Sequence, residues 1–325
     1  MKAANKTGPR VLIITPTGAA ARTGNRATAV RWRAQLRALG CRVRIADQFV
    51  GRCPDVTIAL HARRSAAAVA AVKAQCKSPV VIMLTGTDVY KDLPGDTEAL
   101  AALHQADRIV ALQPDMALRV PASVASKVRV IVQAADVAAV ARPGRRRLDV
   151  LVSGHLRAEK DPFRAVMAVA AKADLPVTVS HIGDELTAGM AAQAHEWMQR
   201  EMRYGYYGGW SPARARRRLA RADVLVNASR MEGCPAVVCE ALSAGTPVLA
   251  SRIPAHEGLL GADYPGLFPV ADTAALTALL QRIIEHPEFL PQLQAAMHAR
   301  RSLVSPIVER RAIASLLNEL EILPL

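Results

Sequence analysis

The sequence predicts an α/β fold made of two doubly wound domains, and three observations carry that prediction. Short apolar runs rich in Val and Ile recur along the chain, stretches of helical period separate them, and the alternation breaks once, at residues 142–147, before starting again. Continuous β-branched runs suit strands buried on both faces of a parallel sheet. Helices between such strands are the connections that a parallel sheet requires. At 325 residues, 51% hydrophobic and only 4% aromatic, the chain has material for two cores of average size packed mainly from Ala, Val and Leu.

VLIITP (11–16) is the first strand, and the helix over 26–39 that follows it stops at Gly40. CRVRIAD (41–47) and DVTIALH (55–61) are the next strands, followed by a helix from Ser65 to Cys76 and the strand PVVIMLT (79–85). A helix near 95–106 leads to RIVALQ (108–113) and VRVIVQ (128–133). RPGRRR (142–147) has the composition of a linker, which sets an N-terminal domain of residues 1–143 against a C-terminal domain of 144–306. The second alternation runs through DVLVSGHL (149–156), a helix from Asp161, PVTVSHIG (176–183), a helix over 184–202 and ADVLVNAS (222–229). TPVLAS (246–251), a turn over RIPAHEGLLG (252–261), GLFPV (266–270) and a helix capped by Asp272 complete it. The amphipathic stretch 307–321 predicts a last helix, which is expected to complete the N-terminal domain over 307–325. Two such halves predict a cleft between them.

Composition excludes several function classes. No apolar run reaches the ~18 residues that span a bilayer, and MKAANKTGPRVLIITP passes from two lysines straight into a strand, without the apolar core of a secretory leader. Five cysteines with no CxxC spacing read as reduced thiols and point to the cytoplasm. No His/Cys/Asp cluster has metal-ligand spacing, so neither a metal nor a cofactor is expected. Neither GxGxxG nor GxxxxGK[ST] occurs, which removes the usual dinucleotide and P-loop fingerprints. The net charge of +14 admits solvated helix faces such as ARARRRLARAD (213–223), nucleic-acid binding, or the handling of polyanionic small molecules. The basic residues are spread along the chain with no aromatic stacking stripe, which argues against nucleic acid.

The densest chemistry lies in SRMEGCPAVVCEALSAGTPVLAS (229–251). ADVLVNAS should be a strand whose carboxyl end opens where ligands bind in α/β sheets. Gly233, Cys234 and Pro235 form a turn, with Pro235 suited to the first turn of the helix that begins at Ala236. Backbone N–H groups over 234–237 would then point outward, and a helix start binds phosphate readily. Glu232 and Glu240 bracket seven residues, so both carboxylates can reach the hydroxyls of one sugar or ribose. A second anion site is predicted in the N-terminal half. Gly24, Asn25, Arg26 and Thr28 open a helix directly after the first strand. His61, Arg63 and Arg64 follow the third strand, and Thr85, Gly86, Thr87 and Asp88 follow the fourth. Asp88 could equally cap a helix or pair with an arginine, and the threonines could simply fix the turn. His181 and Trp32 read as packed core residues, and Cys234 as a turn residue with no nucleophilic role.

EGCPAVVCEALSAGTPVLASRIPAHEGLLG resembles the retaining glycosyltransferases of family 4, whose hallmark is Glu, seven residues, Glu. The resemblance implies a GT-B fold of two Rossmann-like domains facing across a cleft. It also implies that Glu232 contacts the donor-sugar hydroxyls and Glu240 the ribose. Residues 154–161, GHLRAEKD, resemble a second family element, in which Lys160 matches the lysine that neutralises the donor diphosphate. The family's arginine is replaced by His155, and Arg157 stands near to supply that charge. The donor site implied is Gly154, His155, Arg157, Lys160, Glu232, Gly233, Cys234, Pro235, Ala236 and Glu240, with Glu232, Lys160, Arg26 and His61 as the catalytic set. TGNRATAVRWRAQLRALG (23–40), ALHARRSAAAV (59–69), LTGTDVYKDLP (84–94) and PAHEGLLGADYPGLFPV (254–270) resemble one subgroup, the SenB-like selenosugar synthases of selenoneine biosynthesis. That likeness implies transfer of a sugar from UDP-N-acetylglucosamine or UDP-glucose to selenophosphate, and a functional link to a selenophosphate synthetase. A conventional family 4 transferase with a hydroxyl acceptor, and a basic nucleic-acid-binding protein, are the other expectations the residues leave open.

Overall fold

The computed structural model describes residues 8–16, 24–93, 95–142, 144 and 146–324. The lysine-bearing start of the chain, Thr23, Pro94, linker residues Pro143 and Arg145, and Leu325 lie outside the described residues. Two compact units form: Met1–Ala134 together with Pro306–Leu325, and Ala135–Ser305.

The first unit runs β1 (Arg10–Ile14), α1 (Gly24–Ala38), β2 (Arg42–Ala46), β3 (Val56–Leu60), α2 (Ala66–Gln75), β4 (Val80–Met83), α3 (Thr97–Gln105), β5 (Arg108–Ala111), α4 (Pro114–Leu118) and β6 (Val128–Val130). The second runs β7 (Leu148–Ser153), α5 (Arg164–Ala170), β8 (Val177–Ile182), α6 (Met190–Arg200), β9 (Tyr204–Tyr206), α7 (Pro212–Arg221), β10 (Val224–Asn227), α8 (Ala236–Ala244), β11 (Val248–Ser251), α9 (Pro254–Leu260), β12 (Leu267–Phe268), α10 (Thr273–Glu285) and α11 (Phe289–His298). The last helix, α12 (Pro306–Glu319), belongs to the first unit.

Among the described residues each unit holds one six-stranded sheet in which every pairing is parallel, ordered β2-β1-β3-β4-β5-β6 and β12-β11-β10-β7-β8-β9. The apolar runs become the central strands: β3, β4 and β10 are buried at every position. The Arg-Val-Arg alternation of β2 belongs to a sheet edge, where its arginines are exposed. In the second sheet the chain lays β8 and β9 on one side of β7 and then resumes at β10 on the other side. In the first sheet the corresponding reversal lies between β1 and β3. The carboxyl ends of strands flanking such a reversal diverge and leave a crevice for ligands.

Four features differ from the sequence expectations. The unit boundary falls at Ala134/Ala135 instead of within 142–147, because residues 135–142 are fastened to the second unit. There the Val137 N–H donates to Ser243 Oγ at 2.9 Å, and Arg142 donates to the Gly245 carbonyl at 2.8 Å. Residues 254–260 form a helix where a turn was expected, entered at Pro254 and held by Glu257 N–H bonded to the Ile253 carbonyl at 3.0 Å. β9 is a three-residue edge strand, too short and glycine-rich to show as a run. Cys53 and Cys76 are joined in a disulfide between the loop before β3 and the end of α2, where scattered cysteines had predicted only free thiols. Spacing along the chain carries no sign of that proximity, which the β3–α2 crossover creates.

α12 is held on α1 by a buried polar clasp. Glu309, 2% exposed, accepts from Arg31 Nε at 3.0 Å and from Gln35 Nε2 at 3.4 Å, and Arg310 Nε donates to Gln35 Oε1 at 2.9 Å. Trp32 and Leu36 of α1, and Ile313, Leu316 and Leu317 of α12, are buried. Glu309 is buried while Arg31 keeps some solvent access, so Glu309→Ala is expected to lower stability by about 1.5–3 kcal/mol in urea unfolding, the scale of hydrogen bonds to a charged group. A loss below about 1 kcal/mol would show that apolar packing alone docks the helix.

Candidate functional site

In the second unit the sheet reversal brings together the carboxyl ends of β7 and β10. Ser153, Gly154, Lys160, Asn227 and Ser229 line a small recess there. The segment after β7 needs two glycines in close register: Gly183 has φ +155°, and a Cβ on it would lie 2.0 Å from the Gly154 carbonyl oxygen. His181 locks the same corner. Its Nε2–H donates to the Gly154 carbonyl at 3.2 Å, and its Nδ1 therefore accepts from the Tyr204 hydroxyl at 3.0 Å. The ring is fully buried, as the sequence predicted for a core histidine, and burial pushes its pKa down to about 4.

A 3₁₀ turn over Ala158–Lys160, ended by Asp161 in the left-handed region at φ 44°, aims Lys160 at the loop after β10. The Arg230 N–H donates to the Glu159 carbonyl at 2.8 Å and stitches the two loops together. Lys160 Nζ forms a short ion pair with Glu232 Oε1, and the Ser229 hydroxyl donates to that oxygen at 2.7 Å. Only 11% of the Glu232 side chain is exposed. Burial alone would raise its carboxyl pKa; the Lys160 charge and hydrogen bond, the Ser229 hydroxyl and nearby His256 outweigh that and hold it below its ordinary value. Glu232 is therefore ionised and oriented.

Glu232 and Gly233 lead into Cys234, and Pro235 is the cap residue of α8. Pro235 thus stands just before the first turn expected to contain it, and its carbonyl accepts from Val238 N at 3.0 Å and Cys239 N at 3.1 Å. The amides of Ala236 and Val237 have no carbonyl one turn back to bond. Gly233 and Pro235 are buried and Ala236 is exposed. Glu240, one turn further, pairs with Arg216 Nε at 3.0 Å. The two basic substitutes behave differently. His155 Nδ1 accepts from the Asp184 N–H at 3.0 Å, and Arg157 pairs with Glu159 at 3.4 Å, so part of its charge is met by its own loop.

The first unit gathers its predicted residues at the ends of β3 and β4 but does not leave all of them available. Asp88 is fully buried. Its carboxylate accepts from Thr85 N at 2.7 Å, Thr85 Oγ1 at 3.1 Å, Val89 N at 2.9 Å and Ala62 N at 2.9 Å. Burial pushes its pKa up to about 7 against the pull of those donors. Asp88 and Thr85 therefore brace the loop, which corrects their expected place among the ligand-binding groups. His61 is also fully buried, at φ 73°. Its Nδ1 accepts from Arg64 N at 3.4 Å, leaving Nε2–H to face Thr87 Oγ1 at 3.1 Å and Asp92 at 3.5 Å. Burial takes its pKa down to about 4, so it is a neutral positioning group for Thr87, with no exposed atom for catalysis. Arg63 is claimed by Asp96 at 2.7 Å and Asp92 at 3.5 Å. Thr28 is buried on α1. Gly24, Asn25, Arg26, Arg64, Gly86 and Thr87 remain at least partly exposed.

Residues 147–286 match the family model of glycosyl transferases group 1. The matched stretch carries both glutamates, Lys160 and the sheet reversal. No curated protein matches the chain at a significant level. Among solved structures, sucrose-phosphate synthase (tll1590) from Thermosynechococcus elongatus is similar with a TM-score of 0.80 at 16% identity, covering 97% of this chain and 99% of that one. Anabaena Alr3699/HepE, solved with UDP and glucose, gives 0.77 at 16% identity over 96% and 100%. A glycosyltransferase from Rickettsia africae gives 0.75 at 11% identity over 97% and 99%. The fold is GT-B.

Asn227, Ser229, Arg230 and His256 stand at or beside this site without being among the sequence candidates. The first three follow from the strand-end rule applied to β10. His256 was hidden by treating 252–261 as a turn; it is fully buried on α9, its Nδ1–H donating to the Ser251 carbonyl at 2.6 Å. Among the described residues no group of three or more His, Cys, Asp or Glu is placed to hold a metal, and no helix is long and apolar enough to cross a membrane. His181 and His256 both have folded pKa values of about 4 against an ordinary 6.5. Protonation favours the unfolded chain, so their contribution is complete above pH 6.5 and lost as pH falls toward 4. Urea unfolding is expected to show a loss of up to about 1.4 kcal/mol per pH unit for each in that window. A flat profile would contradict their neutral burial.

Proposed function

We propose that the protein transfers a sugar from a UDP-sugar, UDP-N-acetylglucosamine or UDP-glucose, to selenophosphate, forming a carbon–selenium bond. The observation that carries this is the Lys160–Glu232–Ser229 cluster at the sheet reversal of the second unit, beside the start of α8. It combines a cation and helix amides for a diphosphate with an ionised carboxylate for sugar hydroxyls. The UDP and glucose bound in the HepE structure support a donor of this class. In this reading Gly154, Gly233 and Ala236 offer backbone to the phosphates, Lys160 takes diphosphate charge, Glu232 takes the sugar and Glu240 the ribose diol. Arg216 holds the Glu240 carboxylate in place.

Selenophosphate is assigned from the likeness of residues 23–40, 59–69 and 84–94 to selenosugar synthases and from the cationic, amide-rich ends of β1, β3 and β4. Asn25, Arg26, Arg64 and Thr87, each at least partly exposed, are the groups this reading assigns to it. The acceptor is anionic at neutral pH, so its selenium attacks the anomeric carbon as the C–O bond to the diphosphate breaks and UDP leaves with the electron pair. Preset donors stabilise the departing charge. No general base is required, which suits a His61 sealed in its neutral form. A selenophosphate synthetase would supply the acceptor.

Incubation with UDP-N-acetylglucosamine or UDP-glucose and selenophosphate is expected to yield UDP and a sugar product carrying the selenium isotope pattern in mass spectra. UDP release with a hydroxyl acceptor alone would overturn the acceptor assignment. Glu240→Ala and Lys160→Ala are each expected to weaken UDP binding by about 10–100-fold in calorimetry, the scale of a charge-assisted hydrogen bond; unchanged affinity in both would remove the donor site. Arg26→Ala should raise KM for selenophosphate well beyond any change in KM for the UDP-sugar, and equal changes would argue against separate sites.

A further inference from the structure

Cys234 and Cys239 stand on either side of the cap residue of α8, Pro235. Cys234 precedes the cap and Cys239 is the fourth residue of the helix. These are the positions that a hydrophobic staple brings into contact at a helix start. In this chain the staple is made of two thiols, with Sγ atoms 3.7 Å apart. The staple's packing role asks only for an apolar pair, and most apolar side chains would fill it without reactivity. Two thiols in that place add a chemistry that packing does not need.

Their exposures differ in a useful way. Cys234 is partly exposed, whereas Cys239 is 1% exposed. An outer thiol open to a reagent, backed by an inner thiol within reach, is the arrangement of an attacked and a resolving cysteine. Closing the pair to a disulfide, with an S–S bond of about 2.05 Å, needs only a modest approach of the two sulfurs. The remaining cysteine outside a disulfide, Cys41, is buried in the first unit.

We propose that Cys234 and Cys239 are a site of reversible oxidation, closing to a disulfide that alters ligand binding at the start of α8. With a small-molecule disulfide such as oxidised glutathione as oxidant, the Cys234 thiolate attacks one of its sulfurs and expels one glutathione thiolate. The Cys239 thiolate then attacks Cys234 Sγ and expels the second. One S–S bond forms in the protein and one breaks in the reagent, two electrons pass to the reagent, and the two thiol protons go to the departing glutathiones. The ring so closed spans residues 234–239. It draws Cys234 toward the helix, and with it the adjoining Gly233 and Glu232 and the first amides of α8. The effect on ligand binding rests on the donor site proposed above; the thiol chemistry does not.

The test uses the full chain in glutathione redox buffers. Proteolysis without reductant and mass spectrometry is expected to find residues 234 and 239 linked, with loss of two hydrogens, in oxidising buffer, and free again after dithiothreitol. In Cys239→Ala a stable glutathione adduct on Cys234 is expected instead, since nothing resolves it; the same signature in Cys239→Ser guards against a folding defect in the first variant. Both thiols remaining reduced, or a lasting glutathione adduct on Cys234 in the wild-type chain, overturns the proposal. In parallel, UDP affinity of the wild-type chain is expected to fall by about tenfold on oxidation and to return on reduction. A disulfide that forms without changing UDP affinity overturns the switching role. Failure of the reduced chain to bind UDP, with the disulfide still seen by mass, would count against the donor site and leave the oxidation site standing.

Discussion

A carboxylate that is almost buried must be matched by a counter-charge or by hydrogen-bond donors, and for Glu232 of the second unit the match is a counter-charge. Its partner Lys160 lies 72 residues earlier in the chain, in the loop after β7. The ion pair, with the Arg230–Glu159 backbone bond beside it, fixes where the loop after β7 meets the loop after β10. Everything proposed for this unit depends on that meeting. It sets the Lys160 ammonium against the Glu232 carboxylate, shortly before the cap residue of α8. Groups held in advance need no reordering when charge develops on a leaving group, which is where such sites gain most of their effect.

The first unit solves the same electrostatic problem in the opposite way. Asp88 is balanced by backbone amides and one hydroxyl, not by a cation, and nothing of it reaches solvent. Its role is to hold the loops after β3 and β4 together, and the neutral His61 beside it serves Thr87 in the same manner. The residues left at the surface of that corner are the ones with chemistry to offer a ligand. Sorting bracing groups from contact groups is thus a matter of where each polar atom finds its partner. Two glycines, a histidine and a tyrosine do the bracing at the Gly154 corner of the second unit.

The start of α8 shows how one short segment can hold several properties at once. Glu232 and Gly233 precede it, Pro235 caps it, and two thiols staple it. The Cys53–Cys76 disulfide lies in the other unit and joins elements far from this segment in sequence. Cysteine count alone could not separate these two pairs, because one is made by a tertiary crossover and the other by the local geometry of a helix start.

Much of this was legible in order along the chain. Continuous runs such as VTIAL and VLVN state burial on both faces and so a parallel sheet, because a strand with one wet face would have to alternate. Gly40 and Asp272 likewise mark helix ends, and the spacing of Glu232 and Glu240 a candidate site, through local chemistry that needs no distant partner. Tertiary structure alone decided the rest. The seven-residue spacing could not show that Glu232 would be paired with Lys160, that Asp88 and His61 would be sealed from ligand, or that residues 135–142 would belong with the second unit. The physical reason is common to all three. Local pattern records what a residue prefers next to its neighbours, whereas its charge state and availability are set by atoms that only the fold brings near.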